Sequence, residues 1–263
     1  MVRANSPHPM THRFRSASRL CMKGFAVCFV FALLFKASAA GQKSKSNAGP
    51  ASSGDESGSF RILFGGEPIG QEKFQISETS SGIQATAEVR LSIERERGKE
   101  RVVFLLRPIL SCTKNFEPTA YQVTQEDGVQ KRSVRVVFKP GGKSERIYDA
   151  GSEHDSREIE LKRDVLILDD NAFHHYILLS RRFDYVKGGV QEFTAFVPQQ
   201  FLAGAVSISD KGKDTIKVGD RTMVLQQLLV DTGELQISLW LDDRHSLKRL
   251  IVPKSNVEVL REE

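Results

Sequence analysis

Cysteine is scarce in this chain, and its placement excludes a disulfide framework. Of three cysteines, Cys21 and Cys28 fall in an N-terminal apolar leader, which leaves Cys112 as the one thiol of the body. Nothing beside it in SCTKN would lower its pKa, so it reads as a buried, inert side chain. Leu20 before Cys21 and Val27 before Cys28 are not the small residues that precede a lipidated cysteine. Long hydrophobic runs are missing too. The best, Gly24–Phe35, falls short of the roughly 20 residues of a membrane span and is closed by Lys36. No Arg-Arg pair precedes it, which excludes a twin-arginine signal.

Nucleotide and nucleophile motifs are likewise absent. Pro140-Gly141-Gly142-Lys143-Ser144 has the second half of a phosphate loop, but the first glycine would have to occupy the position of Val137. Gly65, Gly66 and Gly70 do not space as G-x-G-x-x-G, no G-x-S-x-G occurs, and no fixed-period repeat points to a propeller or solenoid. No cofactor is expected.

What is there begins with an export signal. Arg13, Arg15, Arg19 and Lys23 precede the apolar run, and Ala37-Ser38-Ala39 and Ser38-Ala39-Ala40 both fit a small-residue cleavage site. Residues 1–40 read as a signal peptide, with Met22 opening a compact signal of its own. The expected destination is the periplasm or the medium, with no transmembrane span after cleavage. Six of the 38 Lys and Arg residues lie in this leader and no Asp or Glu does, so the rest carries 32 basic against 33 acidic groups. The basic balance therefore belongs to the leader, and a nucleic-acid partner is not expected.

Residues 41–59 hold no large apolar side chain and are rich in Gly and Ser; they read as a disordered linker. From residue 60 to 263 there is no comparable break, and about 200 residues suit a single β-rich domain with a real core. Its pattern has a period of two. From Ile83 to Ile93 every odd position is apolar and every even one polar, as a strand with one wet face requires. Gly98–Glu100 would turn this strand into Val102–Leu106. Further strands are expected near Ala120–Gln125, Ser133–Lys139, Glu158–Leu161, Gln191–Val197, Val206–Ser209 and Thr215–Val218. The last fall near Met223–Val230, Leu235–Leu241, Leu247–Val252 and Val257–Leu260. One segment, about 169–185, has helical spacing in Phe173, Tyr176, Ile177 and Phe183, with Asp169 or Asp170 as cap. The expected fold is mainly β: a strongly curved antiparallel sheet or open barrel with one lid-like helix.

In FGGEPIGQEKFQIS, Phe60, Ile62 and Phe64 lead into Gly65-Gly66-Glu67-Pro68, and Phe74 and Ile76 lead out, which predicts a hairpin. By alternation Glu72 shares a face with Phe74 and Ile76, so its carboxylate either lies beyond the core or meets a basic partner inside the sheet's mouth.

Acid–base or metal chemistry would draw on His174 or His175 with Asp169 and Asp170, and on His245 beside Asp242 and Asp243; Glu153-His154-Asp155 adds a further imidazole. Adjacent His174 and His175 point about 100° apart on a helix, unlike the i, i+4 pair of a zinc helix. Asp242–His245 also suffices as a hairpin tip. No metal is expected. An apolar ligand needs only an interior, and Phe173, Tyr176, Phe183, Phe193, Phe196, Phe201 and Leu202 could line one.

GGEPIGQEKFQIS, LDDNAFHHYILLSRRFDYVKGGVQEFTAFVPQQ and LWLDDRHSLKRLIVPKSNVEVLRE together resemble uncharacterised exported proteins of bacterial cell envelopes. More loosely, they are similar to the curved β-sheet proteins that include periplasmic lipoprotein carriers. The resemblance implies a periplasmic or secreted β-protein and transfers no catalytic residues. Three readings follow. The first is a non-enzymatic envelope protein holding a lipid or other hydrophobic molecule, or an envelope partner, on the concave face. The second is a metal-assisted or acid–base enzyme using His174 or His175. The third is an interaction module that docks a partner along a sheet edge.

Overall fold

The computed structural model describes residues 54–94, 101–139, 142–161 and 165–262. The signal peptide, most of the linker and the turn at Gly98–Glu100 lie outside them. The described residues form a mainly β structure built on one sheet of 15 strands. The first half runs β1 (Glu56–Phe64), β2 (Glu67–Thr79), β3 (Gly82–Glu94), β4 (Arg101–Cys112), β5 (Pro118–Glu126), β6 (Lys131–Phe138), β7 (Lys143–Ala150) and β8 (Glu153–Glu160). After β9 (Val165–Ile167) and helix α1 (His175–Arg182), the second half runs β10 (Val190–Val197), β11 (Leu202–Val218), β12 (Arg221–Asp231), β13 (Gln236–Leu241), β14 (Leu247–Val252) and β15 (Val257–Glu262).

The spatial order is 8-7-6-5-4-3-2-1-15-14-13-12-11-10-9, two antiparallel meanders joined where β15 pairs with β1. Only β9, parallel to β10, departs from the antiparallel pattern among the described strands. The sheet is barrel-like but not closed: β8 and β9 are its two edges. Curvature brings distant strands against one chain segment. Glu72 of β2, Tyr121 of β5 and Arg146 of β7 all bond to residues between 169 and 198. No helix among the described residues is long and apolar enough to cross a membrane.

The opening hairpin forms as expected, with a tighter turn. Gly65 (φ 58°) and Gly66 (φ 88°) make the two-residue turn and Phe64 pairs with Glu67, so Pro68 belongs to β2. Positive φ at both positions is the mirror-type turn that matches strand twist, and glycine adopts it without a Cβ penalty. β1 begins at Glu56 instead of residue 60. Glu56 pairs with Arg181 at 2.5 Å and also with Arg261, and these ion pairs draw the last linker residues into the sheet.

The helix is present but shorter than 169–185, and it is buried against the sheet. Every residue from His175 to Arg181 is buried, so it fills the concave side of the sheet. Ile177 and Leu179, both fully buried, join Phe60, Phe74 and Val89 in one core. Asp169 and Asp170 do not cap it: residues 171–174 make turns first, and the residue before the helix, His174, makes no side-chain cap bond.

Gly70 marks the closest backbone approach in the first hairpin. A Cβ there would sit 2.2 Å from the Arg90 carbonyl oxygen. Gly70→Ala is therefore expected to destabilise the protein by about 1–3 kcal/mol, the usual cost of overpacking, seen as a lower urea midpoint with an unchanged m-value.

Candidate functional site

Two places concentrate chemistry: a polar cluster sealed inside the sheet, and a pair of clefts at its open β6–β8 end.

The inner cluster starts from Glu72, which is 0 % exposed. Alternation along β2 points it inward beside Phe74, and its carboxylate meets the turn that leads into α1. It accepts hydrogen bonds from the backbone N–H of Phe173 (2.9 Å) and of His174 (3.3 Å), and lies 2.5 Å from His174 Nδ1. Glu72 thus supplies, from 101 residues away in sequence, the acceptor that a local cap would have provided. Of its two expected surroundings, the structure shows the partner inside.

His175 lies on the other side of His174, ring centroids 4.4 Å apart. Its Nδ1 accepts from the backbone N–H of Asp169 at 3.3 Å, which places the proton on Nε2. Burial, with His174 alongside, holds His175 well below the ordinary histidine range, so it is neutral. The Tyr121 hydroxyl donates to Asp169 Oδ2 at 2.5 Å, and the Gln199 N–H donates to Oδ1 at 3.0 Å. Gln200 Nε2 donates to both oxygens of Asp170, at 2.8 and 2.9 Å. Burial pushes Asp169 up to about 6, while Asp170 is pushed up to about 8 by burial and by the Asp169 charge. The two carboxyls titrate as an interacting pair, both held above the ordinary carboxylate range by burial, with Asp169 the better supplied with donors through Tyr121 and Gln199.

Phe173, Tyr176 and Phe183 are all buried in this interior, so six of the expected site residues gather there: Glu72, Phe173, His174, His175, Tyr176 and Phe183. His245 does not join them. It sits in the turn between β13 and β14 at φ 60° and stacks on Tyr185, ring centroids 3.9 Å apart. Asp242 accepts from the N–H groups of Arg244 and Ser246, both at 2.9 Å, the hairpin-tip role expected of it. His154 bonds Asp149 at 2.6 Å, exposed on β8. No group of three or more His, Cys, Asp or Glu side chains among the described residues is arranged to hold a metal ion. The imidazole–carboxylate pairs have the chemistry for proton transfer, but neither described cleft is lined by Glu72, His174 or His175.

Those clefts flank the β7–β8 hairpin. One, of about 770 Å³, lies between Val129–Ser133 and Tyr148–Glu153. The other, of about 410 Å³, is lined by Arg146, Tyr148, His154, Asp155, Arg157, Gln200 and Phe201, among others. Arg146 Nε donates to the Pro198 carbonyl at 2.8 Å, and its guanidinium lies 5.6 Å from the Phe201 ring centre. Arg157 approaches the same ring at 5.8 Å and pairs with Asp155 at 2.8 Å. Gln200 lines this cleft and bonds Asp170, so it joins the inner cluster to the surface. Arg146, Tyr148 and Arg157 escaped the sequence reading. Their signal was the inward alternation Ser144, Arg146, Tyr148, which is polar and so did not register as a core face.

No family model matches the sequence, and no curated protein does. Two solved structures align with this chain. A beta-barrel-like protein of a domain of unknown function (DUF1849) from Brucella abortus superposes with a TM-score of 0.53 at 7 % identity, covering 78 % of this chain and 94 % of that one. A DUF1089 family protein from Pseudomonas aeruginosa gives 0.42 at 11 % identity, covering 79 % and 95 %. The likeness to the first shows a barrel-like β fold shared with a bacterial protein of unknown function, and the fold alone.

Two predictions follow from the cluster. Glu72→Leu orphans three buried donors and is expected to cost about 3–5 kcal/mol in chemical denaturation, whereas Glu72→Gln, which keeps an acceptor oxygen, loses less. For Asp170 the folded-state value, about 8, exceeds the unfolded 3.8, so between them the fold binds more protons than the unfolded chain. Its contribution is full below about pH 4, declines as pH rises, and is flat above about pH 8. Melting temperatures taken across this range should fall less with rising pH in Asp170→Asn than in the parent.

Proposed function

We propose that this is an exported, non-enzymatic cell-envelope protein that acts by binding, and that its partner docks from outside on the β6–β8 end of the sheet. The observation that carries the reading is the filled interior. Phe173, Tyr176, Phe183 and Phe196, candidates for lining an apolar cavity, are packed into the core with α1, while Phe193, Phe201 and Leu202 pack partly buried against it. A carrier for a hydrophobic molecule needs space on that concave face. The two described clefts lie beside β7 and β8, with guanidinium groups, carboxylates and aromatic rings at the surface. The acid–base enzyme reading is weaker for a related reason: His174 and His175 are 0 % and 1 % exposed and belong to neither cleft.

Native mass spectrometry of gently purified protein should show no lipid or other apolar adduct. A photo-reactive residue placed at Glu153 or Glu160 in living cells should give a discrete protein adduct, and the same residue at Thr222, in the β11–β12 hairpin, should give none. A stoichiometric apolar adduct, or labelling at Thr222 equal to that at β8, would overturn the proposal.

A further inference from the structure

We infer that the partner on this edge is a second copy of the same chain, paired antiparallel along β8 about a two-fold axis through Ser156; the inference rests on the docking reading above.

Three observations carry it. First, β8 is an open edge: among the described strands its only hydrogen-bonded neighbour is β7. Glu153, His154, Ser156, Arg157, Glu158 and Glu160 are all exposed on it. The opposite terminal edge, β9, is three residues long and buried, so of the two ends of the sheet β8 is the one long and exposed enough for strand addition.

Second, the charges of β8 are complementary to themselves in one register. Directly opposed residues of an antiparallel pair share a face and lie about 4.5–5.5 Å apart. With Ser156 opposite its own copy, Asp155 faces Arg157 of the second copy, and Arg157 faces that copy's Asp155. His154 faces Glu158, again twice, and Glu153 faces Ile159. No like charges meet. Neighbouring registers each fail. A slip of one residue opposes Glu153 to Glu158 in one direction, and Glu153 to Glu160 with Asp155 to Glu158 in the other. A slip of two residues opposes Asp155 to itself or Arg157 to itself. Parallel in-register pairing would oppose every charge to its own copy.

Third, the faces agree with the existing β7–β8 pairing. Asp155 and Arg157 lie opposite Tyr148 and Arg146, and His154 and Ser156 lie opposite Asp149 and Ile147, in the alternation of a regular antiparallel pair. Strand addition would extend both faces without turning any side chain through the sheet. An isologous contact of this kind closes on itself and forms a dimer, not a fibre.

Sedimentation of the purified protein over a concentration series tests this. The parent should show a reversible monomer–dimer equilibrium that weakens with added salt. Arg157→Glu should weaken dimerisation by about tenfold or more, because two attractive pairs become repulsive. The exchange Asp155→Arg/Arg157→Glu should restore it by reversing both ends of each pair. Ser156→Cys with a short thiol-to-thiol cross-linker should give a covalent dimer, whereas Glu160→Cys should not; far-UV circular dichroism checks that each variant is folded. A protein that is monomeric at all concentrations, or a dimer indifferent to Arg157→Glu, overturns the inference. The in-cell photo-adducts separate the two levels. Adducts from β8 of a mass other than twice the chain sink self-pairing and leave edge docking standing, whereas absence of any β8 adduct in a monomeric protein removes both.

Discussion

The arrangement depends on one buried carboxylate. Removing Glu72 from water carries a large desolvation cost that only close, well-aligned donors offset, and the chain supplies them from a single turn, at Phe173 and His174. That requirement fixes where the helix goes. An eight-residue helix is too short to be stable alone, and this one has no side-chain cap of its own. With Glu72 at its start it acquires both an acceptor for free N–H groups and a negative charge at the positive end of the helix dipole. At the other end Arg181 meets Glu56 of β1, which also holds Arg261 of β15. The helix is thus pinned at each end by a carboxylate from the sheet, next to the seam where the two meanders join.

A polar seam continues from that anchor. Asp169 is tied to β5 through Tyr121, and both Asp169 and Asp170 are tied forward to Gln199 and Gln200. Arg146 of β7 closes on the carbonyl of Pro198. The Tyr121 and Arg146 ties join distant strands to one segment, so bonds that satisfy buried polar groups also hold the curvature. An open sheet of 15 strands has no closing ladder to keep its ends together, and cross-cavity bonds serve that purpose here.

The strands were legible because most have one dry and one wet face, and Ile83 to Ile93 shows it without exception. Where the inward face is polar the same reading fails: β7 turns Ser144 and Arg146 to the inside, and hydrophobic alternation has nothing to detect. The short, wholly buried β9 has no alternation to read. β11 reads as two strands because the register shifts between Asp210 and Gly212, a bulge that interrupts the pattern without ending the strand. For the inner cluster, sequence located the oddity and not its resolution. Glu72 was identifiable as an inward carboxylate from its neighbours in β2. Its partner, a backbone turn 101 residues away, has no local signature, and the carboxylates of Asp169 and Asp170 mimic a cap that the structure supplies from elsewhere.

A filled interior moves the question of function to what remains unsatisfied at the surface. Of the sheet's two terminal edges, β9 is short and buried and offers little room. β8, eight residues long and mostly exposed, is the terminal edge with backbone donors and acceptors to offer. Charges on an edge strand ordinarily repel other strands. On β8 a single arginine among carboxylates makes the registers one or two residues away repulsive and the Ser156-centred register attractive. A strand under pressure only to avoid pairing would do better with uniform charge, which opposes itself in every register. The mixture Glu153, His154, Asp155, Arg157, Glu158 is what selective pairing requires: the same residues that exclude misaligned neighbours become attractive when the two copies meet at Ser156.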